Sequence, residues 1–103
     1  MRIYIAGPYS KGDVALNVRK AIEAADYLVK KGHTPYIPHL THFWHLVSPK
    51  EYGFWLDYDE SFIRHWAKAV LRLPGESEGA DREVLLAEKL GLPVFYDINA
   101  IME

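Results

Sequence analysis

The sequence predicts an α/β fold. We expect a three-layer, doubly wound arrangement of the flavodoxin-like or Rossmann-like kind, with helices on both faces of a mostly parallel sheet of four to five strands. Short β-forming segments alternate along the chain with segments of helical periodicity, and parallel strands need a crossover connection that is usually a helix. The 103 residues, half of them hydrophobic, suffice for one compact domain spanning residues 1–103.

The first strand and the first helix have the clearest signals. Arg2–Ala6 alternates polar and apolar side chains and stops at Gly7 and Pro8. Asp13 can cap the helix that follows, and Gly32 stands where its C-cap belongs. Between them, apolar residues repeat at intervals of three and four: Val18, Ala21, Ile22, Ala25, Leu28 and Val29.

The middle of the chain is predicted as an edge strand, a long loop and a helix. Residues 34–37 form a short strand, and Pro35 places it at an edge because proline cannot donate to a strand ladder. Residues 38–52 lack a clean period and are predicted as a loop with one helical turn. A helix follows in which aromatic residues recur at helical spacing: Trp55, Tyr58, Phe62 and Trp66.

The last third of the chain continues the alternation. Residues 69–73 form an apolar run, broken only by Arg72, that predicts a buried strand ending at Pro74. Residues 80–90 are predicted as a helix and residues 93–96 as a further strand, after which Asp97 can cap a last short helix.

Doubly wound sheets bind ligands at the carboxyl ends of their strands, near the point where strand order reverses. The loops after the first three strands, at residues 7–13, 39–52 and 74–79, are therefore the candidate binding loops. Within the first two of them, we predict that Gly7, Tyr9, Ser10 and His39 bind the substrate.

Glu83 is a candidate catalytic residue on the helix after the third strand. It shares a helical stripe with Ala80, Val84 and Ala87, which should face the sheet. The alternative is a carboxylate in the first helical turn that complements the helix dipole. Asp81 could serve that purpose from the solvent side, so an inward carboxylate beside a strand end indicates a site.

Asp59 is a second carboxylate on an apolar helix face. Phe62 and Ile63 lie one turn away from it on the same helix. A buried carboxylate needs a partner or a shifted pKa, and an ion pair with Arg19 or Arg64 is the structural alternative. Two carboxylates that converge at a strand end suit glycosidic chemistry, in which one is the nucleophile and the other handles a proton.

Three histidines, His39, His42 and His45, are spaced by three residues. No acidic residue accompanies them nearby in sequence, so we do not predict a metal site, and we expect no cofactor. His39 is predicted to be a pocket residue, and His42 and His45 to be surface or packing residues.

Composition excludes several classes of partner. The formal net charge of -2 gives no field that would attract a nucleic acid polymer or an acidic membrane surface. The absence of cysteine fits a reducing compartment, and the start of the chain does not match a signal peptide, so a cytoplasmic location is expected. Aromatic residues make up 14% of the chain, which is an excess for a domain of this size to bury.

Four motifs together resemble the nucleoside 2-deoxyribosyltransferase superfamily. They are IYIAGPYS at the start, PHL after the second strand, Asp59, and PGESEGADREVLLAEKLGLPVF near the end. The most specific part is the spacing of Ser77, Gly79 and Glu83. The resemblance implies that Glu83 attacks the anomeric carbon and holds the sugar covalently, that Tyr4 orients Glu83, and that Asp59 contacts the base or its proton.

The resemblance also implies a substrate class and an assembly. Ser77 matches the deoxynucleotide N-hydrolase (Rcl-type) branch, which favours hydrolysis and a preference for 5'-monophosphates over nucleosides; small branches without an assigned substrate share the same pattern. Ser77 and Gly79 are then substrate-binding residues. Members of the superfamily complete each site from a neighbouring subunit, which implies a homodimer or larger homo-oligomer in which Asn99 is the residue lent.

The sequence thus predicts hydrolysis or transfer at the N-glycosidic bond of a (deoxy)nucleoside or its 5'-monophosphate, by way of a covalent intermediate on Glu83. Two alternatives stay open. One is a phosphoribohydrolase of the cytokinin-activating type, whose loop resembles residues 74–83. The other is a non-catalytic module that binds a nucleotide-like ligand as a sensor or scaffold.

Overall fold

The computed structural model describes residues 1–102 and contains one four-stranded sheet in which all the paired strands are parallel. The strands lie in the order β2-β1-β3-β4. Their bounds are Arg2–Ala6 (β1), Thr34–Tyr36 (β2), Ala69–Arg72 (β3) and Val94–Phe95 (β4). The predicted fold class is confirmed, and so is the edge position of the strand that contains Pro35.

Within residues 1–102, four α-helices and one 3-10 turn lie between the strands, and a second 3-10 turn follows β4. The helices are Val14–Lys30 (α1), Thr41–Val47 (α2), Tyr52–His65 (α3) and Glu78–Lys89 (α4). The 3-10 turns are Pro38–Leu40 and Ile98–Ala100. Asp13 and Asp97 cap α1 and the second 3-10 turn through their side chains, as predicted. Among residues 1–102, none of the helices combines the length and the apolar character needed to cross a membrane.

Helices cover both faces of the sheet, and the strand alternation decides which side chains meet which helix. Ile3 and Ile5 of β1 pack with α1 and with Ile101 near the end of the chain. Tyr4 and Ala6 point to the opposite face, where they pack with residues of α3 and α4. Because β1 is buried on both faces, its side chains on alternate sides reach two separate cores.

Strand order reverses between β1 and β3, and the loops that follow these two strands touch. Gly75 has a φ of +115°, and a Cβ added there would lie 2.8 Å from Cγ of Pro8. At Gly7, an added Cβ would lie 3.0 Å from Cβ of Leu73. The close approach of the two loops therefore depends on glycine at both positions.

Helix α1 buries only part of the apolar repeat from which it was predicted. Its buried residues are Ala21, Ala24, Ala25 and Leu28, whereas Ile22 and Val29 are exposed. Three alanines and Leu28 therefore form the buried face of α1, while Ile22 and Val29 lie outside it.

Residues 38–52 were predicted as a loop with one helical turn, and this was wrong. The segment contains a 3-10 turn followed by the seven-residue helix α2, none of whose side chains is buried. Trp44 packs edge-on against Trp55 and Tyr58 of α3, with ring centroids 5.2 and 5.5 Å apart. These aromatic contacts, which have no simple sequence period, hold α2 beside α3.

Helix α4 begins two residues earlier than predicted. Ser77 is its N-cap, and the Ser77 hydroxyl accepts a hydrogen bond from the backbone N–H of Ala80. Glu83 therefore lies in the second turn of α4 and not in the first. Since the helix dipole acts mainly on the first turn, it is a weak explanation for the position of Glu83.

Candidate active site

A cavity of about 610 Å³ opens where strand order reverses, at the carboxyl ends of the strands. It lies between the loop after β1, the wall formed by α2 and α3, and the beginning of α4. Eight of the sequence-predicted site residues line it: Gly7, Tyr9, Ser10, His39, Asp59, Ser77, Gly79 and Glu83. Three separate predicted loops and two helices thus contribute to one site.

The Glu83 carboxylate is held by a buried tyrosine. The hydroxyl of Tyr4 donates a hydrogen bond to Oε2 of Glu83, and Tyr4 itself is fully buried in β1. Burial raises the pKa of Glu83 from 4.5 to about 8, while the Tyr4 hydrogen bond opposes this rise. The charges of Asp59 and Glu60 contribute to this rise, and the Arg72 guanidinium opposes it.

Asp59 is held in the same way by a second tyrosine. The hydroxyl of Tyr36 donates to Oδ1 of Asp59 at 3.2 Å. Burial raises the pKa of Asp59 from 3.8 to about 7, and the Tyr36 hydrogen bond opposes the rise. Neither Arg19 nor Arg64 pairs with Asp59, because Arg19 pairs with Glu23 and Arg64 with Glu60. The ion-pair alternative for Asp59 was therefore wrong.

The two tyrosines are neighbours on adjacent strands. Tyr4 and Tyr36 stand opposite each other in the β1–β2 register, and their ring centroids are 5.6 Å apart. Burial raises the pKa of both hydroxyls above the usual value, so both remain protonated donors. Phe62 stacks on Tyr36 at a centroid distance of 3.9 Å and fixes its ring. Sequence reasoning missed Tyr36, because only the strand register reveals that it lies beside Tyr4.

The three histidines line the cavity together. His39 is buried, and its Nε2 lies 3.0 Å from the carbonyl oxygen of Pro8. Nδ1 of His42 bonds to the Tyr9 hydroxyl, and Nδ1 of His45 accepts from Nε1 of Trp55 at 2.8 Å. His42 and His45 pack against aromatic neighbours, as predicted, and both also form part of the cavity wall. No group of side chains able to hold a metal ion occurs among residues 1–102.

Asn99 lies apart from the other predicted site residues. Its side chain accepts a hydrogen bond from the Tyr27 hydroxyl of α1 at 3.1 Å and is exposed. It does not line the cavity of its own chain.

Two charged pairs that the sequence did not reveal fix the helices around the site. Glu60 is buried and accepts from Nε of Arg82 at 2.7 Å, which joins α3 to α4. Since Glu60 follows Asp59 and Arg82 precedes Glu83, this bridge connects the two segments that carry the carboxylates. Its strength is moderated by the exposure of Arg82 to solvent.

Arg72 orders the loop between β3 and α4. It is buried at the end of β3 and donates to the carbonyl oxygens of Leu73 and Gly75. Its guanidinium also pairs with Asp81 at 2.9 Å. Asp81 does face solvent, as predicted, and there it compensates a buried cation. A charged residue in an otherwise apolar strand was the sequence signal for this role.

At the mouth of the cavity, the N-terminus of α4 lies beside acidic and basic side chains. Glu76 and Glu78 line the mouth on either side of Ser77. Lys11, from the loop after β1, lies 3.6 Å from Glu76 and partly compensates its charge.

The fold places the chain among the doubly wound α/β proteins. Residues 1–97 match the family described as Domain of unknown function (DUF7768), and the chain belongs to that family. No curated protein matches it in sequence.

Among solved structures, the chain is similar to a 2-deoxyribosyltransferase from the psychrotolerant bacterium Bacillus psychrosaccharolyticus. The TM-score is 0.66, the sequence identity is 24%, and the match covers 91% of this chain and 69% of that one. The resemblance predicted from sequence therefore holds at the level of the fold.

Replacing Glu83 by glutamine is expected to make the free energy of unfolding less sensitive to pH. Burial raises the pKa of Glu83 from 4.5 to about 8, so between these values the folded chain keeps a proton that the unfolded chain has released. The unfolded state binds fewer protons in this window, and wild-type stability falls as pH rises through it. At about pH 9 the variant, which has no buried charge at this position, should melt above wild type.

Melting temperatures at about pH 5, 7 and 9 test this expectation. Glu88→Gln is the control, because Glu88 is exposed on the same helix and should behave as wild type. Some pH dependence should remain in Glu83→Gln, since the pKa of Asp59 is also raised by burial. The same pH slope in wild type and Glu83→Gln would contradict the expectation.

Proposed function

We propose that this chain breaks the N-glycosidic bond of a (deoxy)nucleoside or its 5'-monophosphate through a covalent glycosyl intermediate on Glu83. The observation that carries the proposal is the pair of carboxylates, Glu83 and Asp59, that line one cavity while each accepts a hydrogen bond from a tyrosine of the sheet. Most enzymes that cleave glycosidic bonds use two carboxylates that lie beside the sugar. The similarity of the fold to a 2-deoxyribosyltransferase supports the same reaction class.

Glu83 is suited to nucleophilic attack by the arrangement of its two oxygens. Tyr4 holds Oε2, and Oε1 has no hydrogen-bond partner among residues 1–102. In residues 1–102 only Nδ1 of His39 is a buried side-chain nitrogen or oxygen without a partner, so Oε1 of Glu83 is accessible. We therefore assign Oε1 as the atom that bonds to the anomeric carbon, while Tyr4 fixes the direction of attack.

Asp59 is suited to manage the proton of the leaving base. With a pKa of about 7 it is partly protonated near neutral pH, unlike an exposed aspartate. As the ionised Glu83 carboxylate bonds to the sugar, the bond between the sugar and the base breaks. The base leaves with the electron pair and accepts a proton from Asp59. Water, or a second base, then gives a proton to Asp59 as it attacks the anomeric carbon and releases Glu83.

We predict that Glu83→Gln lowers kcat for base release by more than about 10⁴-fold, because it removes the nucleophile. Asp59→Asn should lower kcat less, by about 10²-fold to 10⁴-fold, as expected for the loss of a general acid. It should also abolish the decrease in rate at alkaline pH, which follows from loss of the Asp59 proton. Chromatography of free base released from a panel of deoxynucleosides and their monophosphates measures both effects.

The controls separate chemistry from folding. Glu88→Gln should match wild type, since Glu88 is exposed on the outer face of α4. A wild-type rate in a folded Glu83→Gln protein would contradict the mechanism, and equal losses in both variants would indicate a shared structural role. Binding by wild type without base release would place the chain with non-catalytic ligand-binding modules instead.

We further propose that the substrate carries a 5'-phosphate at the start of α4, and that hydrolysis is favoured over transfer. The Ser77 hydroxyl accepts from Ala80 N–H and can still donate its own hydrogen. The first N–H groups of α4, at Glu78 and Gly79, have no partner within the helix and can bind an anion. Lys11 adds a positive charge at the same mouth and offsets Glu76.

We predict a higher kcat/KM for a 5'-monophosphate than for the matched nucleoside in wild type. Ser77→Asp should reverse this preference, because aspartate still caps a helix but repels phosphate. Ser77→Asn, a neutral residue that also caps a helix, is the matched control and should keep the preference. A wild-type preference for the nucleoside would contradict the phosphate site and favour transfer.

We also propose that the chain is a homodimer or larger homo-oligomer, with the aromatic residues between Phe43 and Trp66 at the interface or along the cavity wall. Helix α2 buries no side chain, and Phe43 and Val47 are 64% and 87% exposed. In such an assembly the exposed Asn99 would be lent to the site of a second copy. Light scattering over a dilution series should give at least the dimer mass.

Phe43→Ser or Val47→Ser should shift the equilibrium between monomer and oligomer towards monomer, because either substitution removes exposed apolar area. Leu85→Ser is the matched control, because Leu85 is exposed on α4. It should leave the equilibrium between monomer and oligomer unchanged. A monomeric wild type at every concentration would contradict the assembly and the role of Asn99.

A further inference from the structure

His45 lies on the cavity wall with one of its ring nitrogens fully engaged. Nδ1 accepts from Nε1 of Trp55 at 2.8 Å and from the backbone N–H of Lys50 at 3.2 Å. The imidazole also packs edge-on against the Trp55 ring, with centroids 6.0 Å apart. The orientation of the His45 ring is therefore fixed by two hydrogen bonds and one aromatic contact.

These two partners determine the tautomer of His45. An indole N–H and a backbone N–H can only donate, so Nδ1 must offer its lone pair to both. In the neutral imidazole the hydrogen is then on Nε2, which becomes a donor.

Nε2 of His45 has no hydrogen-bond partner in the part of the chain that the structure describes, and it is not a buried atom. Among residues 1–102, the one buried side-chain nitrogen or oxygen without a partner is Nδ1 of His39. Since His45 lines the cavity, its Nε2–H is accessible to a ligand there. Lys50 lines the same wall and holds a second donor, its ammonium group, over the Phe54 ring at 5.2 Å.

This wall is where the leaving base is expected. In the proposed reaction the base departs beside Asp59 on α3. Trp55 lies one helical turn before Asp59, lines the same cavity, and is the residue bonded to His45. With the sugar beside Glu83 on α4, as the proposed reaction requires, we expect the edge of the base remote from the sugar to face His45.

We infer that His45 is a specificity residue that selects bases with a keto oxygen, rather than an amino group, at C6 of a purine or C4 of a pyrimidine on that remote edge. This inference rests on the proposed function. The substituent at C6 of a purine or C4 of a pyrimidine, on that edge, is a keto oxygen in the oxo bases and an amino group in the corresponding amino bases. A keto oxygen accepts from Nε2–H, whereas an amino group presents a second donor to it and leaves both unpaired.

Two matched pairs of substrates test the inference. The first is 2'-deoxyinosine 5'-monophosphate against 2'-deoxyadenosine 5'-monophosphate, and the second is 2'-deoxyuridine 5'-monophosphate against 2'-deoxycytidine 5'-monophosphate. Base release by wild type gives one readout. Affinity for the Glu83→Gln variant, followed by calorimetry, gives a second readout that does not require turnover.

We expect the keto member of each pair to be favoured by about tenfold or more in wild type. His45→Phe removes both ring nitrogens and should bring the ratio near one. His45→Gln should restore the preference, because its amide oxygen can accept from Trp55 while its amide N–H donates to the base. His65→Phe is the control and should leave the ratio unchanged, since His65 is exposed at the end of α3 and does not line the cavity.

The two readouts distinguish this inference from the proposed function. Base release without a keto preference would overturn the role of His45 and leave the function standing. Tighter binding of the keto member without turnover in wild type would support His45 and count against catalysis. Equal affinity for both members, a preference that survives in folded His45→Phe, or no binding of any of the four nucleotides would overturn the inference.

Discussion

The site depends on two hydrogen bonds from the sheet to the helices above it. Tyr4 and Tyr36 are neighbours on adjacent parallel strands, and each donates its hydroxyl to a carboxylate on a different helix. Their common strand face sets the spacing of the hydroxyls, and the hydroxyls set the positions of Glu83 and Asp59. Without these donors, two carboxylates whose pKa values burial raises to about 8 and 7 would lack a fixed partner.

Ion pairs outside the cavity hold together the two helices that carry Glu83 and Asp59. The bridge between Glu60 and Arg82 joins α3 to α4 next to the two carboxylates, and Arg72 orders the loop where α4 begins. The charge of Glu60 raises the pKa of Glu83, whereas that of Arg72 lowers it. The same groups that position the helices therefore also influence how readily Glu83 ionises.

The sequence predicted local features of the structure, but it did not predict features that depend on pairing between distant segments. The pattern of Arg2–Ala6 and the cap at Asp13 are local, and both were predicted correctly. Glu83 and Asp59 were found because a carboxylate on an apolar helix stripe is unusual in any context. Tyr36 and the partners of His45 could not be found, because strand register and helix packing bring them together across 23 and 10 residues of sequence.

The edges of the sheet restrict how this chain can meet another polypeptide. The outer strand on one side is β2, only three residues long with Pro35 at its centre, and on the other side it is β4, with two residues. A proline offers no N–H to an incoming strand, and a two-residue strand offers too few backbone groups for a stable ladder. Extension of the sheet across two chains is thus disfavoured at both edges, which leaves side-chain contacts between helices and loops as the available means of association.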